Sequence, residues 1–277
     1  MKKTPPSARA KNIRLSRNIL PTRYALSFTP DLKKFTFAGE AAITLKIAKP
    51  TDTITLHAKD LKVARAELAQ GQRRDEATKI AFDEKRETVT ITFPQRFHKG
   101  TAKLQITFSG ALAEHMRGFY RSRYTVKGKE EYMATTQFEA TDARRAFPCF
   151  DEPDLKAVFE VSLFAPGGRI AISNTPAKSV TKTKGGAMYH FAPTPIMSTY
   201  LLAFIIGTFE YIEMKVPGAT NVAAKSAPAK SAPQRTLVRV YTAPGKKEQG
   251  RFACTTAARA LLGRLYRNDL RVSADGS

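Results

Sequence analysis

Apolar and polar residues alternate with a period of two through most of the first two hundred positions, the pattern of strands that bury one face. Tyr24–Phe28, Phe37–Ile47, Thr53–His57, Thr88–Thr92 and Lys103–Phe108 each set apolar side chains on one side and polar ones on the other. Turn chemistry separates them at Pro30-Asp31, Lys49-Pro50, Gln70-Gly71, Lys99-Gly100 and Ser109-Gly110, where Pro fixes φ and Gly supplies positive φ. This spacing predicts a mainly β fold, a sandwich or saddle of antiparallel strands.

A second set of strands is predicted at Val158–Phe164 and Arg169–Ser173, with Pro166-Gly-Gly168 as a hairpin turn between them. Strands follow at Ser179–Lys182 and Met188–Phe191, joined by Lys184-Gly-Gly186, and one long strand at Tyr200–Tyr211. The pattern then changes. Residues 216–235, VPGATNVAAKSAPAKSAPQR, repeat AKSAP and carry few large apolar groups, as an exposed loop or linker does. Beyond it Leu237–Tyr241 reads as a strand, Ala243-Pro-Gly245 as a turn and Lys246 to about Arg267 as a helix. In that helix Ala253, Ala257, Leu261 and Leu265, with Ala260 beside them, form the expected apolar stripe. The division expected from these shifts is a basic tail over 1–14, a β domain over 15–211, a linker over 212–236 and, over 237–277, the strand and helix that begin an incomplete α/β domain.

Composition narrows the class. With 42% hydrophobic residues, 17 Phe and no Trp, the 277-residue chain has the material for a substantial core. No apolar run approaches the roughly 18–20 residues that span a bilayer, and the basic start MKKTPPSARAKNIRLSRN meets Pro and charge where a signal peptide would turn apolar. A cytoplasmic protein is expected. Cys149 and Cys254 lie too far apart in sequence for a disulfide framework or a spaced metal site and are expected to be free buried thiols. The net charge of +22 could draw acidic partners or nucleic acid, yet Lys and Arg are scattered through nearly every segment. Such scatter suits the outward faces of half-buried strands, and no dedicated nucleic-acid site is expected.

One stretch concentrates chemistry: MATTQFEATDARRAFPCFDEP, Met133 to Pro153. If Tyr132–Phe138 is a strand, Thr135, Gln137 and Glu139 share one face, with Ala134, Thr136 and Phe138 on the other. An amide oxygen and a carboxylate side by side can both accept hydrogen bonds from one ammonium group, and the carboxylate supplies the opposite charge. The pair Gln137 and Glu139 is therefore a candidate grip for a peptide's α-amine; the same pattern also describes the polar outward face of an edge strand. Asp142, Arg144, Arg145, Asp151 and Glu152 suit intrachain salt bridges at a corner, and Phe147-Pro-Cys-Phe150 reads as a buried, extended plug.

The stretch resembles the strand and corner in the N-terminal domain of aminopeptidase N-like zinc metallopeptidases. Gly118-Phe-Tyr-Arg-Ser122, Ala171-Ile-Ser-Asn-Thr-Pro176, Pro195 to Phe204 and Leu15 to Tyr24 resemble that family in the same order, over about Leu15 to Leu265. The resemblance implies a saddle-like N-terminal β domain packed against a thermolysin-like catalytic domain that removes N-terminal residues from peptides. It also implies that Gln137 and Glu139 hold the substrate's α-amine, with Glu139 at the more variable of the two positions. The family's zinc chemistry needs His-Glu-x-x-His, a further Glu and a Gly-x-Met-Glu-Asn strand, and none of the three occurs here. The only histidines are His57, His98, His115 and His190, no two at metal-ligand spacing. No catalytic residue and no metal ligand are therefore assigned to this chain, and zinc belongs to the full-length family. The expectation is a truncated or frameshifted product without peptidase turnover of its own. Two alternatives stand beside it: a basic β-sandwich module that binds acidic partners or nucleic acid, and one half of a split enzyme whose zinc domain is a separate polypeptide.

Overall fold

The computed structural model describes residues 14–126, 128–217 and 235–260. Two compact units emerge. One runs through Arg123 and resumes over Tyr132–Gly207; the other comprises Tyr124–Glu131 and the residues from Thr208 onward.

The first unit is built on an eight-stranded sheet. Its long central strands are β1 (Ile19–Asp31), β2 (Thr36–Ile47) and β8 (Gly100–Ala111). Flanking them are β4 (Leu61–Gln70) and β5 (Arg73–Glu76) on one side, and on the other β11 (Val158–Pro166), β14 (Gly186–Phe191) and β13 (Ala177–Thr183). The order is β13-β14-β11-β1-β2-β8-β4-β5. All neighbours are antiparallel except β1 and β11, which pair in parallel from Arg23↔Val158 to Phe28↔Leu163. A three-stranded sheet joins β3 (Thr51–His57), β7 (Thr88–Phe97) and β6 (Lys79–Asp83). A four-stranded sheet has the order β12-β15-β10-β9, from β9 (Gly118–Val126), β10 (Lys129–Gln137), β12 (Ile170–Ser173) and β15 (Phe204–Gly207).

The alternation predicted from sequence is the alternation observed. In β1, Tyr24, Leu26 and Phe28 are buried while Arg23, Ala25 and Thr29 are exposed. The inward residues of β1, β2 and β8 meet an aromatic cluster around Phe28, whose ring lies 4.7 Å from Phe204 and 5.8 Å from Phe119 of the four-stranded sheet. Each such buried Phe contributes about 1.5–3 kcal/mol relative to exposure. Between β2 and β8 the rings lie over glycines reciprocally, Phe37 opposite Gly110 and Phe108 opposite Gly39. A Cβ on Gly39 would sit 2.4 Å from Phe108 Cζ, so only glycine admits the ring there.

Four sequence expectations differ from the structure, the last of them in the second unit. Pro166-Gly167-Gly168 is not a hairpin turn: β11 belongs to the eight-stranded sheet and β12 to the four-stranded one, so the turn carries the chain from one sheet to another. The apolar run Tyr200–Tyr211 is not one strand but a 3-10 turn (Thr199–Leu201), β15, and the start of β16 (Glu210–Pro217). In the helix, described over residues 250–260, the buried positions are Gly250, Cys254 and Ala258, whereas Ala253 and Ala260 are exposed. Alanine is a weak marker of the buried face, and the thiol and glycine that take it carried no weight in the predicted stripe.

In the second unit β16 pairs antiparallel with β17 (Arg235–Thr242), from Glu210↔Thr242 to Pro217↔Arg235. Residues 212–217 and 235–236, expected within the linker, are thus strand. The AKSAP repeat, Leu261, Leu265 and the tail over 1–13 lie outside the described residues.

Candidate functional site

Gln137 is the last residue of β10, and Phe138 follows it into the core. Phe138 is 2% exposed, its ring 6.0 Å from Phe147 and 6.1 Å from Phe204. Because that side chain turns inward, its two neighbours turn outward: Gln137 and Glu139 are both exposed. Ala134 is buried, and Thr136 bonds the neighbouring strand, its Oγ1 accepting from the Phe204 N–H at 3.0 Å. Gln137 and Glu139 are exposed and Ala134 and Phe138 buried, as the alternation predicts, but Glu139 lies beyond the end of β10, in the turn that follows.

Neither Gln137 nor Glu139 has a hydrogen-bond or ion-pair partner among the described residues. This holds in a chain where 46 Lys and Arg face 24 Asp and Glu. Two acceptors, one anionic, therefore point to solvent from a backbone whose intervening side chain is locked in the core.

The chain immediately beyond is the opposite case. Phe138 C=O accepts from the Asp142 N–H at 2.9 Å, and the chain turns through a 3-10 segment, Ala143–Arg145, into the buried run Phe147–Phe150. Arg144 is 8% exposed, and its guanidinium donates to Asp151 Oδ2 at 2.9 Å and to Glu87 Oε2 at 3.0 Å. Glu87 also pairs with Lys59. Burial works against ionisation of Glu87, yet Lys59 and then Arg144 hold its carboxyl below the ordinary glutamate value. Burial pushes the Asp151 carboxyl above its ordinary value, against the pull of Arg144. Arg145 bonds Asp142 at 2.9 Å and pairs with Asp60, and Glu152 receives the Leu15 N–H at 2.6 Å and Arg17 at 2.7 Å. The corner expected to be salt-bridged is so throughout.

His57 completes it from β3. Its backbone exchanges hydrogen bonds with Cys149 at 2.8 and 3.0 Å, and its Nδ1 accepts from the Asp151 N–H at 3.2 Å. Burial, with Arg144 adding to it, pushes its pKa down to about 4, so it is the neutral acceptor this bond requires. Burial likewise raises the Cys149 thiol well above its ordinary value, leaving it protonated and inert. Tyr24 Oη accepts from the Phe150 N–H at 3.1 Å, and Thr199 Oγ1 donates to the Phe150 carbonyl at 3.2 Å. Sequence reasoning missed His57, Glu87 and Tyr24 as parts of the corner. Each lies more than fifty residues from its partner, and no local pattern marks such a pairing.

Among the described residues no group of three or more His, Cys, Asp and Glu could hold a metal ion. His98 and His115 are exposed and His190 bonds Ser162 Oγ at 2.9 Å. The described residues thus offer no set of zinc ligands. Among the described residues no helix is long and apolar enough to cross a membrane.

Comparison with known proteins adds the family. Residues 20–201 match the Peptidase M1 N-terminal domain. Aminopeptidase M1-C of Oryza sativa subsp. japonica is 39% identical over 249 residues, covering 90% of this chain and 26% of the relative. The puromycin-sensitive aminopeptidase of Caenorhabditis elegans is 38% identical over 260 residues, covering 92% and 26%. Aminopeptidase 2, mitochondrial, of Saccharomyces cerevisiae is 39% identical over 253 residues, covering 89% and 24%. The chain thus spans about a quarter of the length of the curated relatives it matches. With the strand, the corner and the flanking motifs matched together, the chain belongs to the peptidase M1 family and carries its N-terminal domain.

Proposed function

We propose that this chain is the substrate-anchoring part of an aminopeptidase, in which Gln137 and Glu139 hold the free α-amine of a peptide. The observation that carries the reading is the pair itself: two exposed acceptors without partners among the described residues, set on either side of a core-locked Phe138. An ammonium between them would gain charge-assisted hydrogen bonds from Glu139 and a neutral one from the Gln137 carbonyl. A peptide bond's uncharged N–H offers neither the charge nor the extra donors, so the pair selects chain termini. The buried corner that follows restrains the strand end, which lowers the entropy lost when a ligand is gripped.

Hydrolysis belongs to residues this sequence does not contain. A catalytic zinc takes three protein ligands and leaves a position for water, and the four dispersed histidines do not supply them. The zinc-bearing partner in the reading is an M1 catalytic domain, supplied on the same or a separate polypeptide. Two buried, unpaired cysteines suit a reducing, cytoplasmic setting. The test is an aminoacyl-p-nitroanilide assay of the purified chain with added zinc. No metal-dependent release is expected; turnover at enzyme-like rates would overturn the division of labour.

A further inference from the structure

The outward face of the eight-stranded sheet carries a second set of acceptors without partners, far in sequence from the first. On β11, β1 and β2 the outward residues at the sheet's centre are small: Ser162, Ala25, Ser27 and Ala42. Long side chains surround them: Arg65 lies opposite Thr107, Lys103 is two residues from Gln105 on the same face of β8, and Lys46 and Lys62 lie farther out. Alanine is depleted from strands because it packs little against its neighbours, so four small residues on three adjacent strands leave a hollow. It measures about 360 Å³ and is walled by Glu40, Gln105 and Thr107. That is within the ~300–1,000 Å³ range of small-ligand sites.

The register places the wall. Glu40 lies opposite Thr107 and opposite Ser27, and Ala42 lies opposite Gln105 and Ala25. Glu40 and Gln105 are therefore diagonal neighbours on one face, within about 7–8 Å and in reach of a shared group. Neither has a hydrogen-bond or ion-pair partner among the described residues. Glu84, also without a cation partner among the described residues, lines a hollow that already contains Lys59 and Lys62. At the near rim Glu160 is already paired with Arg23, and Ser162 Oγ is engaged by His190.

We propose that this hollow binds a single alkylammonium or guanidinium group, the head of a lysine or arginine side chain, between Glu40 and Gln105 over the floor of Ala25, Ser27 and Ala42. The chemistry is an anionic and a neutral acceptor converging on one cation, with hydroxyls of Ser27 and Thr107 beside them. Net charge limits the class. At +22 the chain repels a polycation, whereas one charge is screened from distant residues beyond about 8 Å at physiological ionic strength. The inference does not rest on the α-amine reading, and a probe with a blocked α-amine keeps the two apart.

The test is an amide-resolved NMR titration of the isotope-labelled full chain with Nα-acetyl-lysine methylamide, and with its Nε-acetylated, uncharged counterpart. Saturable shifts at Ala25, Ala42, Gln105 and Thr107 are expected with the charged probe only, with a dissociation constant on the order of 1–10 mM for one exposed charged contact. Glu40→Gln should weaken binding about tenfold or more, while Glu139→Gln leaves it unchanged. Ala42→Gln, which fills the floor but keeps the carboxylate, should abolish it and guards against a folding defect in the first variant. Absence of saturable shifts, equal response to both probes, or indifference to Glu40→Gln and Ala42→Gln would each overturn the proposal.

Discussion

Two neighbouring pieces of one sequence motif are held in opposite ways. From Asp142 to Glu152 every charged side chain is engaged, and Arg144 alone links Asp151 to Glu87. From Gln137 to Glu139 the two polar side chains engage nothing among the described residues. The corner spends its polar groups on itself, where an unpartnered buried charge would be costly; the strand end leaves its acceptors in water, where waiting for a ligand costs little. Rigidity and vacancy are thus adjacent but separate. Stability should respond to the corner and binding to the strand end.

The largest effect is expected from breaking the corner. Arg144→Met leaves Asp151 buried without its cation and should cost about 3–5 kcal/mol, read by denaturant unfolding. Phe147→Ala should cost a similar ~3–5 kcal/mol by opening a cavity beneath Phe138. A loss below about 1 kcal/mol for either would show that the corner is not the restraint described. Binding losses in these variants should track loss of folded protein.

A smaller, pH-dependent effect isolates His57. Its pKa is about 4 when folded against the ordinary 6.5, so between those values the unfolded chain binds more protons. The stability it contributes is complete above about pH 6.5 and is lost as pH falls towards 4, by up to roughly 3 kcal/mol. Asp151, whose carboxyl is raised, acts in the opposite sense as pH rises above its ordinary value. The comparison is therefore wild type against His57→Asn, which keeps an acceptor for the Asp151 N–H but does not titrate. The wild type should lose more stability than the variant between pH 6.5 and 4; parallel profiles would place the acid sensitivity elsewhere.

The smallest stability effect belongs to the strand end. Gln137→Ala and Glu139→Gln should change unfolding free energy by less than about 0.5 kcal/mol, as exposed positions without partners do. A loss near that of Arg144→Met would erase the contrast between the two pieces.

How much of this was legible depended on distance along the chain. Strands β1, β2, β7, β8 and β10 could be read from alternation, and the outward facing of Gln137 and Glu139 from their spacing about Phe138, because a period of two is a local property. The plug at Phe147–Phe150 was legible from its aromatic residues and proline. The parallel pairing of β1 with β11 was not, nor was the sheet switch at Pro166-Gly167-Gly168: turn residues specify that the chain turns, not which strand it then joins. The run Tyr200–Tyr211 reads as one strand until tertiary bonds interrupt it. Asn174 Oδ1 accepts from the Ala203 N–H at 2.8 Å, its Nδ2 donates to the Leu201 carbonyl at 2.9 Å, and Ser198 Oγ donates to the Pro153 carbonyl at 2.5 Å. The hollow beside Glu40 was hidden for the same reason, since its small residues come from three strands and its wall from two.

The measurement closest to the central claim is a titration of the labelled full chain with L-alaninamide, which keeps a free α-amine, against N-acetyl-L-alaninamide, which does not. The account predicts saturable amide shifts confined to Gln137 through Ala140 with the free amine alone, lost in Gln137→Ala and Glu139→Gln while the corner's amides stay in place. Equal responses to both compounds, or no response at those residues in the folded chain, would contradict it.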